Sequence, residues 1–160
     1  MPHIHELYDF TVSAFIMHPT EPKICLHFHR KLNFWNQLGG HIELDEDPLE
    51  TLARELKEEA GLSENDYEII EVSSQPKITD AVKQLPMPFA FPIYKYGKLA
   101  HWHIDLPYLV KAKTVRLNPQ DGESQKIRWF NKDEISQLQR DGELGDTVHQ
   151  ICEWIFAHQM

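Results

Sequence analysis

The run DPLETLARELKEEAG, Asp47 to Gly61, carries its own start, buried face and stop. Asp47 suits a helix N-cap, Pro48 the first helical position, and Glu50 the place from which a capping-box glutamate reaches back. Leu49, Leu52, Ala53, Leu56 and Ala60 recur at helical spacing and form one apolar stripe. Gly61 supplies a C-terminal stop. The expected helix therefore covers Pro48 to Ala60, and its stripe demands an apolar surface to lie on.

The flanking segments supply that surface. Leu7 to Met17 and Lys23 to His29 read as strands joined by a turn at HPTEP. In the second, Ile24, Leu26 and Phe28 point one way while Cys25, His27 and His29 point the other. RKLNFWNQLGG reads as a loop. Tyr67 to Ser73, Ala100 to Lys113 and Lys126 to Phe130 read as further strands, with QLPMPFAFP as a proline-interrupted loop. KDEISQLQ and DTVHQICEWIFAHQ close the chain as helices. Strands and helices mix without strict alternation, which predicts a mixed sheet covered by helices in one domain over residues 1–160.

On the marked helix, Glu55, Glu58 and Glu59 fall within an arc of about 100°, beside the apolar stripe. At about 6 Å and an effective dielectric near 20, each pair of such charges repels by about 3 kcal/mol. Either the face is well hydrated, as on any acidic helix surface, or something neutralises it. Arg54 reaches Glu50 and Glu58 at one-turn spacing but is a single charge. A hard divalent cation such as Mg²⁺, which takes oxygen ligands, fits the deficit.

Net charge narrows the partners. At −9 the chain lacks the basic surface that long nucleic acids require, whereas a small anionic ligand remains open where a cation offsets the repulsion. No apolar run approaches a membrane span, and the first ten residues lack the pattern of a secretory signal, so the expected location is cytoplasmic. Cys25 and Cys152 are expected to be inert core thiols.

From Gly40 to Leu62 the sequence GHIELDEDPLETLARELKEEAGL resembles the signature of the Nudix hydrolases at each specified position: the glycine, Glu46, Arg54-Glu55-Leu56, Glu58-Glu59 and Gly61-Leu62. NFWNQLGG and IRWFNKDEISQL are similar to flanking family segments, although Leu38 stands where proline is common. The resemblance implies an α+β fold, an α/β/α sandwich with a mixed β-sheet and the box (residues 40–62) as a loop–helix–loop. It implies hydrolysis of a diphosphate linkage in a small nucleotide, with Mg²⁺ or Mn²⁺ as cofactor. Glu55, Glu58 and Glu59 match the metal-binding glutamates, with the backbone carbonyl of Gly39 or Gly40 as a further ligand. Arg54 matches the arginine that orients them, and Glu46 the glutamate that supports the loop. In this family the general base lies in the box helix or on a distant loop, which leaves Glu58, Glu59 and Glu123 as candidates. Homodimers are frequent in the family. A non-catalytic nucleotide-binding module on the same fold is the alternative. Such members usually lack box glutamates or the arginine, and all are present here.

Other residues carry weaker signals. His101, His103 and Asp105 alternate and share one strand face, where metal ligation, substrate contact and a plain polar surface compete; contact of His103 with substrate is the expectation. Arg30 ends a strand near the box loop and is placed to grip a phosphate. Phe34, Trp35, Phe89 and Phe91 lie in loops, as base-stacking rings or satellite core.

Overall fold

A parallel pair of long strands forms the centre of the sheet. The computed structural model describes residues 7–95 and 101–160. Tyr8–Met17 (β1), Lys23–His29 (β2), Phe34–Asn36 (β3) and Leu38–His41 (β4) precede the helix Pro48–Ala60 (α1). Tyr67–Ile70 (β5), Ile93–Tyr94 (β6), Trp102–Ala112 (β7) and Ile127–Asn131 (β8) follow, and Lys132–Arg140 (α2) and Asp146–His158 (α3) close the chain. β1 runs parallel to β7, from Tyr8 opposite Trp102 to Met17 opposite Lys111. The other pairings between these strands are antiparallel, in the order β3-β2-β1-β7-β5, with β4 on β1, β6 on β7 and β8 on β2.

Side-chain alternation sends the longer strands β1, β2 and β7 into two separate cores. Val12, Ala14, Ile16, Tyr108 and Val110 meet Leu52, Leu56 and Ala60 of α1 on one face. Phe15, Leu109, Ile24 and Leu26 meet Ile135 of α2 and Val148, Cys152 and Ile155 of α3 on the other. Strands covered on both faces need near-continuous apolar sequence, as in VSAFIM of β1. The result is the α/β/α sandwich with a mixed sheet that the sequence predicts. Both cysteines are buried and free, and burial holds both thiols well above their usual range. Among the described residues no helix is long and apolar enough to cross a membrane.

The marked helix has its expected bounds. Asp47 accepts from the Leu49 and Glu50 amides, and Glu50 Oε2 accepts from the Asp47 amide at 2.8 Å, a complete capping box. That bond occupies Glu50, so Arg54 pairs with Glu46 instead. Gly61 ends α1 in the left-handed conformation, with φ of 71°, and a Cβ there would sit 2.2 Å from the Asn118 carbonyl oxygen. Gly61→Ala combines strain with a backbone clash. It is expected to lower stability by about 2 kcal/mol in urea unfolding.

Two expectations change. The predicted loop RKLNFWNQLGG contains β3 and β4; the residues of β4, LGGH, have little strand propensity, and their pairing with Thr11–Ala14 of β1 imposes the conformation. Tyr67 to Ser73 stops as a strand at Ile70, which lies opposite Leu109. Beyond that point the edge of β7 is already occupied: Phe89 donates to the Pro107 carbonyl, Asp105 donates to the Pro92 carbonyl, and β6 pairs with His103 and Ile104. Ala100, the first residue of the predicted long strand, lies outside the described residues.

Candidate functional site

Packing of the α1 stripe on β1 and β4 brings the neighbouring glutamates against the sheet. Glu55 and Glu59 are only 9% and 8% exposed, while the Glu58 side chain keeps 36%. Gly39 donates its amide to Glu59 Oε2 at 2.8 Å. At Gly40 an added Cβ would lie 2.1 Å from Glu55 Oε1, so the bare Cα of this residue makes the space that the carboxylate occupies.

Arg54 organises the acids. Its Nε and Nη2 donate to the two oxygens of Glu46 at 2.7 and 3.1 Å, a paired geometry. Its Nη1 reaches Glu55 at 2.7 Å and Glu58 at 3.5 Å, and its Nη2 also donates to the His41 carbonyl at 3.2 Å. Thr51 fixes Glu46 from behind, 2.8 Å from Oε2. One guanidinium thus holds three carboxylates and one strand end.

It does not neutralise them. Burial pushes Glu59 up from 4.5 to about 9, and the charges of Glu55, Glu123 and Glu58 push the same way against the Gly39 hydrogen bond. Glu55 is also raised, mainly by burial, with Arg54 opposing. Arg54 holds Glu46 below the usual range. In chelator, Glu59 therefore keeps a proton in the fold that the unfolded chain releases above pH 4.5. The sign follows: its contribution to stability is full below the unfolded value and is lost as pH rises toward the folded one. Metal-free wild type is expected to weaken between pH 5 and 9 relative to Glu59→Gln, by on the order of a few kcal/mol, in denaturant titrations at several pH values.

Glu123 lies on the loop before β8, close enough that its charge acts on Glu55, Glu59 and His29. Arg30 anchors that loop, donating to the carbonyls of Gly122 and Glu123. Its Nη2 is engaged with backbone carbonyls while the residue stays exposed; the expected grip on a phosphate would fall to its other N–H groups. His27 Nδ1 stands 3.8 Å from Glu59 Oε1, and burial lowers its pKa to about 4. Nothing local in the sequence marks this neighbour; it arises where His27 of β2 and Glu59 of α1 meet across the fold.

Beside Gly39 and Gly40 opens a pocket of roughly 490 Å³, walled by His27, His29, His41 and His103 among others. His103 therefore lines the same cavity as Gly39 and Gly40. Asp105 leaves the expected trio and accepts from Thr11 Oγ1 at 2.8 Å. Two of the loop aromatics are core: Phe89 packs on Phe15 and stacks on Trp154, and Trp35 packs between Phe28 and Phe130.

Comparison with known proteins identifies the family and the fold. The family model described as the NUDIX domain matches residues 8–150. Phosphatase NudJ of Escherichia coli (strain K12) is 30% identical over 103 residues, which cover 64% of this chain and 55% of the relative. The chain thus spans about half the length of the curated relatives it matches. Among solved structures, a NUDIX-family hydrolase from Clostridium perfringens is similar at a TM-score of 0.74 and 28% identity, covering 93% of this chain and 96% of that one. The NUDIX domain of Shewanella oneidensis NrtR, solved with ADP ribose, shares the fold at a TM-score of 0.68 and 16% identity, over 98% and 91% of the two chains.

Proposed function

Because this chain belongs to the Nudix family, we propose that it is a metal-dependent pyrophosphohydrolase that cleaves a diphosphate linkage in a small nucleotide. The observation that carries the reading is the set of Glu55 and Glu58 held by Arg54 and Glu59 held by the Gly39 amide, beside Gly39 and Gly40, which line a pocket. The donors fit Mg²⁺ or Mn²⁺: three carboxylates and the Gly40 carbonyl offer only oxygen, and Gly40 leaves the room that Glu55 needs. When bound, such an ion supplies positive charge that shields the diphosphate oxygens and stabilises the departing phosphate.

The chain's own groups do the rest. Arg54 holds Glu55 and Glu58 at a fixed spacing, so that neither has to be ordered when substrate arrives. Glu59 is tied to Gly39 and buried, which suits a ligand better than a base. We assign to Glu58 or Glu123 the acceptance of the proton of the attacking water; the charge of Glu123 acts on Glu55 and Glu59. Arg30 serves by fixing the Glu123 loop, and His103 by walling the pocket that receives the substrate.

A panel of deoxynucleoside triphosphates, ADP-ribose, dinucleoside polyphosphates and coenzyme-type pyrophosphates tests this, with phosphate or pyrophosphate release followed in Mg²⁺, Mn²⁺ and chelator. Turnover that disappears in chelator is expected on at least one substrate. Tight binding without turnover on every member of the panel would identify a nucleotide-binding module instead.

A further inference from the structure

On the face of the sheet away from α1, three adjacent strands bring four ligand-bearing side chains to one point. β4, β1 and β7 lie side by side: His41 pairs with Thr11, and Asp9 pairs with His103. Asp9, His41, His101 and His103 each offer one donor atom, and all four atoms fall within 4.8 Å of one another. We propose that these residues form a second metal site, distinct from the box glutamates, for a transition-metal dication of which Zn²⁺ is our assignment.

Distances support it. His101 Nε2 and His103 Nε2 are 3.0 Å apart, and Asp9 Oδ2 lies 3.4 Å from His101 Nε2 and 3.7 Å from His41 Nε2. Tetrahedral zinc with bonds of about 2.0–2.1 Å places its donors about 3.3 Å apart, so these three pairs stand close to that spacing, and the wider pairs, within 4.8 Å, close up by side-chain rotation. Two imidazole nitrogens facing each other at 3.0 Å must share one proton as they stand, whereas a dication accepts both lone pairs at once.

Burial and donor type point the same way. Asp9, His101 and His103 are 3%, 5% and 6% exposed, and the His41 side chain keeps 28% toward the pocket. Tyr94 packs edge-on to His103, with centroids 5.6 Å apart, and restrains the ring. Three nitrogens and one oxygen suit zinc and disfavour Mg²⁺, which prefers all-oxygen ligands. Four protein ligands describe a closed, structural site, one that ties β4 to β1 and β7 at the pocket wall. Gly40 and His41 alternate on β4, so the box and this cluster occupy opposite faces. The proposal stands or falls independently of the hydrolase reading.

Chelator-stripped protein in excess Mg²⁺, which occupies carboxylates and competes poorly for imidazole, is titrated with Zn²⁺ by calorimetry and with Co²⁺ by visible absorption. One equivalent of Zn²⁺ is expected to bind and raise Tm by several degrees, and Co²⁺ to give the intense bands of a four-coordinate site. His101→Gln and His103→Gln should each weaken binding at least about tenfold, and Glu58→Gln should leave it unchanged. No uptake by wild type would overturn the proposal, as would uptake lost in Glu58→Gln but kept in His103→Gln. Should the histidine variants fail to fold, X-ray absorption of zinc-loaded wild type decides: a histidine-rich shell supports the site, and a carboxylate-only shell refutes it.

Discussion

Glu58→Gln is expected to cut kcat by roughly 10³-fold while leaving Tm within a few degrees of wild type. Glu58 is the most exposed of the three box glutamates, and its contact with Arg54, at 3.5 Å, is at the limit of a hydrogen bond. Little folding energy rests on it, and glutamine keeps its volume. What is removed is a negative charge at the mouth of the site, needed as a metal ligand or as proton acceptor. Running Glu123→Gln beside it separates those roles: the variant whose turnover no longer rises with pH has lost the base. Wild-type kcat in Glu58→Gln would discard the assignment of this residue.

Arg54→Ala should damage both stability and catalysis. Its guanidinium makes hydrogen bonds to Glu46, Glu55, Glu58 and the His41 carbonyl, and Glu55 is buried. Removing the cation leaves two or three acids facing one another in a half-dry crevice. A loss of about 2–4 kcal/mol is expected in chelator, from charge left unpaired. Saturating Mg²⁺ should restore part of the stability but not the rate, which should stay at least about 100-fold down, because the ligands are no longer held before substrate binds. Arg54→Lys cannot reproduce the paired contact with Glu46 and should rescue little. A kcat within a factor of two of wild type in Arg54→Ala would show that the acids arrange themselves without it.

What was legible in the sequence is what short-range chemistry determines. The capping box, Pro48, the leucine spacing and Gly61 fix α1 from within, so the placement of Glu55, Glu58 and Glu59 along one edge follows directly. The layered fold was readable from apolar patterning and from the family resemblance. Strand adjacency was not. β4 is a strand only because β1 accepts it, and β5 ends where another segment takes over the edge of β7. The alternation of His101 and His103 was visible, but Asp9 and His41 join them through pairings among β4, β1 and β7 that no local signal announces. The anchoring of Arg30 to the Glu123 loop was hidden for a similar reason, since those carbonyls lie 92 and 93 residues away.

The parallel central pair has a kinetic consequence. Thr11 and Asp105, joined across β1 and β7, are 94 residues apart in the chain. Parallel neighbours at that separation cannot nucleate locally, and the entropy of closing the intervening segment must be met before the pairing returns anything. During synthesis one edge of β1 can pair with β2 and β4, while the edge that β7 takes stays open until the seventh strand has emerged. Slow folding and a need for protection at that stage are built into the topology.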